Sequence, residues 1–296
     1  MNSLSMNRRS LLLTAAAAAV AGSARAQDAT ARPVTLGQVS LSFYAVTGAV
    51  VQHVLERLGH QVTVRTGPHD EMFPLLERGE IDLMAAAWLP DGHAAYWARH
   101  GAAATQVARL YTGARFFWGV PDYVPKEAVA SIADLARPEV AQRMTRLIQG
   151  IGTAATITTV SQSAVSAYGL DVLGYSLRPG TPAEWTGAYD AAVREQRWIV
   201  FPTWAPQYLN RGNRLRPLDD PKGILGGANH AALVAPTARL QALPEATRAA
   251  LSRIDLGLDG VTEMDWMVNV GKMTPRAAAA TWMQANASRV NGWLRG

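Results

Sequence analysis

The stretch that decides the fold is GEIDLMAAAWLPDGHAAYW, residues 79–97. Its apolar run Leu83–Leu89 is the longest beyond residue 26, and we interpret Ile81–Ala87 as a buried strand leading to Trp88 and a proline turn. Ligands of parallel α/β sheets bind at the carboxyl ends of the strands. The sequence therefore predicts that Trp88 faces a binding cleft.

The residues N-terminal to this stretch alternate between strand-like and helix-like patterns. Apolar residues recur at four-residue spacing over Ala45–Leu58, which predicts an amphipathic helix that ends at Gly59. An alternation of strands and helices predicts a parallel sheet with right-handed crossovers. The predicted elements are the strands Val34–Val39 and Gln61–Thr66 and the helices Ala45–Leu58 and Asp70–Arg78.

A second tryptophan segment, VFPTWAPQY at residues 200–208, again runs from a buried strand into a tryptophan and a proline. A single tryptophan is more often a core residue than a ligand contact, but two in matching positions favour a role in binding. The order of elements fits two α/β lobes that share one continuous chain. The later predicted elements are the strands Phe116–Val120, Trp198–Phe201 and Ala231–Ala235, and the helices Ala154–Tyr168, Pro182–Gln196, one opened by Pro244, Thr262–Val270 and one capped by Thr274 with Pro275 in its first turn.

The N-terminus has the parts of an export signal. Arg8 and Arg9 precede the apolar run Leu11–Gly22, and the triplet Ala24-Arg25-Ala26 resembles a cleavage site, which predicts a signal peptide over residues 1–26. Paired arginines favour the twin-arginine route, with an ordinary export signal as the alternative. The signal removes three arginines and no acid, so the formal net charge falls from +5 to +2. The basic balance is therefore no argument for a nucleic-acid partner.

The composition describes an exported protein held together by its core. Of the 296 residues 49% are apolar and 17% are charged, which excludes a largely disordered chain. The chain has no cysteine, so disulfides, thiolate metal sites and a lipid anchor at the cleavage point are excluded. The apolar run of the signal spans about 12 residues, whereas a membrane-spanning helix needs about 20. We expect a soluble protein of the bacterial periplasm.

Sequence signatures of enzymes are missing: there is no G-x-S-x-G, no H-E-x-x-H, no Walker loop and no G-x-G-x-x-G after a strand. His69, Asp70 and Glu71 are adjacent, but adjacent helical residues point in different directions. We therefore expect a solvated helix N-terminus there and no metal site. The segment Gly150–Thr153 precedes a predicted helix, where it either presents backbone N–H groups to an anion or forms an ordinary turn.

The chain resembles the substrate-binding proteins of glycine betaine, proline betaine and choline ABC transporters over nearly all of residues 34–294. This resemblance implies an α/β fold of the type II periplasmic binding protein kind, with two lobes, two hinge crossovers and a ligand cleft between the lobes. It places lobe I at residues 33–115 plus 222–296 and lobe II at residues 116–221. The matching segments are residues 79–97, GARFFWGVPDYVP (113–125), WIVFPTWAPQYL (198–209), LDDPKGILGGANHAALVA (218–235) and TWMQANASRVNGW (281–293).

The resemblance also implies an aromatic cage. A quaternary ammonium group has no N–H to donate, so electron-rich ring faces hold it instead. Many relatives carry a tryptophan shortly after the first strand; here Phe43 or Tyr44 takes its place, or the cage is open on that side. No catalytic residue, metal ligand or cofactor is implied. The implied ligand-binding residues are Trp88, Trp204, Phe116, its alternating neighbour Trp118, Phe43, Tyr44, Gln207 and Tyr208.

The implied function is that of a monomeric periplasmic component of an ABC importer. It would carry glycine betaine, proline betaine or choline to a membrane permease with an associated ATPase. Two alternatives stay open: a different small amine or amino-acid derivative as the ligand, and a ligand sensor for a membrane receptor with the same fold. An exported enzyme is disfavoured because the sequence contains no nucleophile–base pair.

Overall fold

The computed structural model describes residues 32–212 and 214–295, so the predicted signal peptide lies outside the described residues. These residues form eleven strands and eleven α-helices. The strands are β1 (Val34–Val39), β2 (Val62–Gly67), β3 (Leu83–Leu89), β4 (Ala104–Pro121), β5 (Met144–Thr145), β6 (Leu147–Gln149), β7 (Ser176–Arg178), β8 (Trp198–Ile199), β9 (Phe201–Ala205), β10 (Leu215–Pro217) and β11 (Asn229–Pro236). The helices are α1 (Ser42–Arg57), α2 (His69–Glu77), α3 (Ala94–His100), α4 (Pro138–Arg143), α5 (Thr156–Ala167), α6 (Pro182–Arg194), α7 (Thr237–Gln241), α8 (Glu245–Ser252), α9 (Leu258–Asn269), α10 (Pro275–Ala285) and α11 (Ala287–Leu294).

The first three strands form the parallel sheet that the sequence predicts. β1 pairs in parallel with β2 on one side and with β3 on the other. β11 then pairs antiparallel with β3, and β4 pairs antiparallel with β11. β3 therefore has a neighbour on each side, and all seven of its residues are buried, as expected for a strand covered on both faces.

Helix α1 confirms the predicted amphipathic helix but begins three residues earlier, at Ser42. The earlier start places Phe43 and Tyr44 in the first helical turn. The helix ends before Gly59, whose φ of 88° is a left-handed conformation that favours glycine. Its apolar stripe packs against β1, β3, α9 and α10. The fully buried valines of this stripe are Val46, Val50 and Val54.

The other predicted helices are found with ends that differ by up to four residues. The predicted cap at Thr274 is confirmed, because its side chain accepts a hydrogen bond from the Ala277 N–H and Pro275 occupies the first turn. A second helix start, that of α6, has a reciprocal capping box between Thr181 and Glu184. Among the described residues, no helix is long and apolar enough to span a lipid bilayer.

Strand β4 connects the two parts of the structure. Ala104–Ala114 pair with β11, whereas the strand pairs from Arg115 onward with β9 and then with β10. A separate hydrophobic core, drawn from Trp118 to Leu225, lies beyond this change of partner. The chain returns through the segment 218–228 between β10 and β11. The lobe boundary between residues 115 and 116 stays a prediction; it coincides with the change of partner along β4.

The predicted strand Trp198–Phe201 is wrong as a single element. The chain breaks the strand at Val200, and β9 then continues through Pro202 to Ala205, antiparallel to β4. Proline lacks the N–H that a central strand needs, but β9 has β4 as its one partner among the described strands, and an edge strand tolerates proline. Trp204 therefore lies within a strand.

Candidate ligand-binding site

Aromatic side chains from separate elements enclose a small cavity of about 20 Å³. Phe43 comes from the first turn of α1, Trp88 from β3, Phe116 from β4 and Trp204 from β9. These residues belong to both predicted lobes. The full lining is Leu41, Phe43, Tyr44, His69, Trp88, His93, Phe116, Ile151, Ala155, Thr156, Ile157 and Trp204.

The rings of this cavity contact one another directly. The centroid of Phe43 lies 5.5 Å from that of Trp88 and 5.6 Å from that of Trp204. The Trp88 and Phe116 centroids are 5.3 Å apart. Aromatic pairs favour separations of about 4.5–7 Å, so the rings stabilise the closed cavity. The structure thus brings together five of the eight predicted site residues, Tyr44 included.

Hydrogen bonds to Tyr111 and His93 hold Trp88 in place. It is 1% exposed, and its indole Nε1–H donates to the Tyr111 hydroxyl at 2.9 Å. Its backbone N–H donates to Nδ1 of His93 at 2.9 Å. Burial raises the pKa of Tyr111, so the phenol stays neutral. Two hydrogen bonds therefore fix both the backbone and the ring of Trp88.

Trp204 is held by stacking. Its ring stacks on Trp185 with centroids 4.8 Å apart and an interplanar angle of 15°. Its carbonyl accepts a hydrogen bond from the Asn210 side-chain amide at 2.8 Å. The Trp204 indole N–H is buried and has no hydrogen-bond partner among the described residues. A buried donor without a partner is costly.

Two buried histidines contribute to the cavity wall, and sequence reasoning missed both. His69 is 7% exposed, which corrects the expectation of a solvated helix start at this residue. Its burial depends on Phe73 and Tyr96, which pack in the same aromatic cluster, and no local pattern indicated it. Burial lowers the pKa of His69 to about 4 and holds the pKa of His93 well below its usual range, so both rings are neutral.

The tautomer of His93 follows from its contacts. Because Nδ1 accepts the Trp88 N–H, the proton of the neutral ring lies on Nε2, which is 3.4 Å from the Tyr44 hydroxyl. Burial raises the pKa of Tyr44 well above its usual value. No group of three or more His, Asp or Glu side chains that could hold a metal ion occurs among the described residues.

The loop Gly150–Ala155 and the start of α5 form another part of the wall. Thr156 begins α5, and no side chain caps this helix at Ala155. The first N–H groups of a helix have no partner within the helix, and the helix dipole favours an anion beside them. Because Ala155, Thr156 and Ile157 line the cavity, this helix start faces the same space as the aromatic rings.

Three predicted site residues lie elsewhere. Trp118 is fully buried in the second core, where its Nε1–H donates to the Ser161 hydroxyl at 2.7 Å. It shares a strand face with Phe116, but two residues further along β4 correspond to about 7 Å. Gln207 is 2% exposed and its Oε1 accepts the Leu209 N–H at 2.7 Å. The Tyr208 N–H donates to the Asp265 carboxylate at 2.8 Å, outside the cavity.

Tyr208 lines a larger open groove of about 940 Å³ between α6 and α9. Its walls carry more positive than negative side chains. A cation would be repelled there, and the groove is open to water, which screens its contacts. The charged residues of the groove are Arg194, Arg211, Arg214, Lys272 and Asp190. The aromatic cavity, by contrast, has no Asp, Glu, Lys or Arg in its wall.

Solved structures share this architecture. Lactococcal OpuAC in its closed, liganded conformation with glycine betaine matches with a TM-score of 0.79 at 22% identity, covering 89% of this chain and 100% of that chain. An ABC-transporter choline binding protein in complex with choline matches with a TM-score of 0.76 at 19% identity, covering 88% and 91%. The fold is that of the two-lobed periplasmic binding proteins.

The family described as the substrate binding domain of ABC-type glycine betaine transport systems matches residues 32–285, and the chain belongs to this family. A glycine betaine/carnitine transport binding protein of Listeria monocytogenes is 27% identical over 161 residues. That match covers 54% of this chain and 53% of the relative, so the chain spans about half the length of the relative it matches.

Proposed function

We propose that this protein binds glycine betaine or a closely related betaine in the aromatic cavity, as the solute-binding component of an ABC importer. One observation carries the proposal: an uncharged cavity with four facing aromatic rings adjoins an uncapped helix N-terminus. The family description supports it, as do the names of the relatives, which refer to glycine betaine, carnitine and choline.

The rings would hold the trimethylammonium group. A ring face attracts a cation by about 0.5–2 kcal/mol, so Phe43, Trp88, Phe116 and Trp204 together would supply about 2–8 kcal/mol. Micromolar affinity corresponds to about 8 kcal/mol. The rings alone reach that value at their upper limit, so the rest of the ligand must contribute.

The carboxylate would lie at the start of α5. The free N–H groups of the first helical turn attract an anion, and two uncharged donors share the cavity wall with them. One is the neutral imidazole of His69, which makes no hydrogen bond to another described residue. The other is the unpaired indole N–H of Trp204. These groups would replace the water that the carboxylate loses.

The charge of the wall favours a zwitterion over a cation. Glycine betaine carries one positive and one negative charge, whereas choline carries a net positive charge. Because no Asp or Glu lines the cavity, buried choline would lack a counter-charge, and an uncompensated buried charge is costly. We therefore infer that glycine betaine binds more tightly than choline.

Binding would require the lobes to separate and close. A cavity of about 20 Å³ holds about one water molecule, so a betaine must move the rings apart as it enters. Phe43 and Trp204 lie on different predicted lobes, and a ligand between them favours the closed form by contacting both. The closed form would then dock on a membrane permease with its ATPase.

The place of action follows from the same proposal. Solute-binding domains of ABC importers act on the outer side of the membrane, and the pattern of residues 1–26 supports export to the periplasm, by the twin-arginine route. A ligand sensor with this fold is the second candidate role. Neighbouring genes for a permease and an ATPase would favour transport.

Isothermal titration calorimetry of the mature protein with glycine betaine, proline betaine, carnitine and choline tests the ligand. We expect micromolar binding of glycine betaine and at least about tenfold weaker binding of choline, a difference of about 1.4 kcal/mol. Folded protein that gives no heat with any of the four would contradict the quaternary-amine proposal and leave another small amine as the ligand.

A further inference from the structure

Tyr96 makes a hydrogen bond from one predicted lobe to the other. It lies on α3 in predicted lobe I, and its hydroxyl donates to the Ala154 carbonyl at 2.9 Å. Ala154 belongs to the loop that precedes α5 in predicted lobe II. Two residues next to Ala154 in sequence, Ala155 and Thr156, line the aromatic cavity. The bond therefore connects lobe I to the part of lobe II that closes the cavity.

Few such connections exist. Apart from three bonds made by Lys222 and Leu225 in the segment 218–228, where the chain itself returns to lobe I, two hydrogen bonds that involve a side chain in the described residues join the predicted lobes. The second runs from the Tyr208 N–H to Asp265, close to the point where Arg115 of β4 pairs with Ala205 of β9. That contact lies beside the strand crossing, where a rotation of one lobe about β4 would displace it least. The Tyr96 bond joins the cavity loop itself.

The Tyr96 ring is already oriented for this bond. It stacks on Phe73 with centroids 4.8 Å apart at 19°, and on His69 with centroids 5.9 Å apart at 23°. Both partners belong to α2, so the ring is fixed within lobe I whether or not lobe II is near. Tyr96 does not itself line the cavity. It can therefore act on closure without touching the ligand.

We propose that Tyr96 is a positioning residue for ligand retention, whose hydroxyl holds the Gly150–Ala155 loop against lobe I and so stabilises the closed form. This rests on the proposed function insofar as the retained ligand is a betaine. The apparent affinity of a two-state binding protein scales with the fraction of molecules in the competent state. Loss of the bond lowers that fraction equally for every ligand.

Tyr96→Phe tests the proposal, because it removes the hydroxyl and keeps the stacked ring. One net hydrogen bond corresponds to a change of about two- to tenfold in an equilibrium constant. We expect the Kd of glycine betaine and that of choline to rise by the same factor within this range. Most of the increase should appear as faster dissociation in stopped-flow tryptophan fluorescence.

Tyr175→Phe is the matched control. The Tyr175 hydroxyl donates to the Leu135 carbonyl at 3.0 Å, and both residues lie within predicted lobe II. This variant loses the same kind of bond, so it should lower the unfolding temperature while Kd and the dissociation rate stay at wild-type values. Equal effects of the two variants on Kd would overturn the proposal. So would a loss confined to glycine betaine, since closure acts on all ligands alike.

Interlobe distances give a readout that needs no ligand. The chain has no cysteine, so Ala246→Cys in lobe I and Val172→Cys in lobe II, both exposed positions, accept spin labels specifically. In the absence of ligand, Tyr96→Phe should shift the distance distribution away from the wild-type one, and Tyr175→Phe should not. Identical distributions for all three would refute the proposal. A wild-type protein that binds none of the four ligands would refute the proposed function, while these distances still decide the role of Tyr96.

Discussion

Replacement of Trp204 by alanine is the most direct test of the aromatic cage. The residue is 4% exposed, and its ring faces Phe43 across the cavity at 5.6 Å. Its removal takes away one ring face, about 0.5–2 kcal/mol of cation–π attraction, together with apolar contact to the ligand methyl groups. We expect the Kd of glycine betaine to rise more than about tenfold, which corresponds to 1.4 kcal/mol.

The same substitution also removes a large buried side chain that stacks on Trp185. Truncation of a buried tryptophan costs about 3–5 kcal/mol of unfolding free energy, so affinity and stability must be measured separately. Trp293→Ala is the control, since Trp293 is also 4% exposed but lies on α11 and stacks on Trp282, away from the cavity. It should lose comparable stability without a change in Kd.

Titration calorimetry, at a temperature where both variants are folded, measures the Kd of each variant for glycine betaine. A Kd for Trp204→Ala within about threefold of wild type, less than 0.7 kcal/mol, would refute the cage assignment. Equal rises in Kd for both variants would refute it as well, because the effect would then come from general destabilisation. If Trp204→Ala does not fold, Trp204→Phe keeps a smaller ring and should weaken binding less.

Two further predictions concern the groups behind the cage. Tyr111→Phe leaves the buried Trp88 Nε1–H without its acceptor, so the unfolding free energy in denaturant titrations should fall by about 1–3 kcal/mol; an unchanged value would contradict the support assigned to Tyr111. The pKa of His69 is about 4 in the folded protein and 6.5 as its ordinary value, so the unfolded chain binds more protons between these values, and acidification destabilises the fold. From pH 8 to pH 5 this residue should account for a loss of about 2 kcal/mol, and His69→Phe should show a loss smaller by that amount. Equal losses in both proteins would mean that His69 is not buried.

Local sequence patterns predicted the helices and strands whose formation depends on residues close to one another in sequence. The four-residue spacing of valines identified α1, and the apolar run identified β3, because burial of one helix face or of a whole strand leaves a direct mark on composition. The position of β11 between β3 and β4 was not predicted. Residues 229–236 pair with strands more than a hundred positions earlier, and no local pattern carries that information.

The candidate site likewise contains residues that local sequence predicted and residues whose position depends on distant contacts. Trp88 was predicted from the strand that leads to it, whereas His69 was assigned to solvent because its burial comes from Phe73 and Tyr96. Trp118 was included because side chains two residues apart lie on the same face of a strand, so Trp118 shares the face of β4 that carries Phe116. Strand periodicity predicts the face of a side chain but not its position along the strand, and two residues sufficed to move Trp118 into another core.

The continuity of β4 determines how far each ring travels. Phe116 is one residue beyond the first pair with β9, so it lies next to any axis about which the lobes rotate, and a rotation there displaces it little. Trp204 pairs directly with Phe116 and is equally close to this axis, so a rotation would displace it little as well. The open protein would then keep Trp88, Phe116 and Trp204 together as a platform on which a ligand can first settle, while Ala155, Thr156 and Ile157 move away. Capture would proceed in two kinetic steps, a fast association with these rings and a slower step that closes the remaining wall over the ligand.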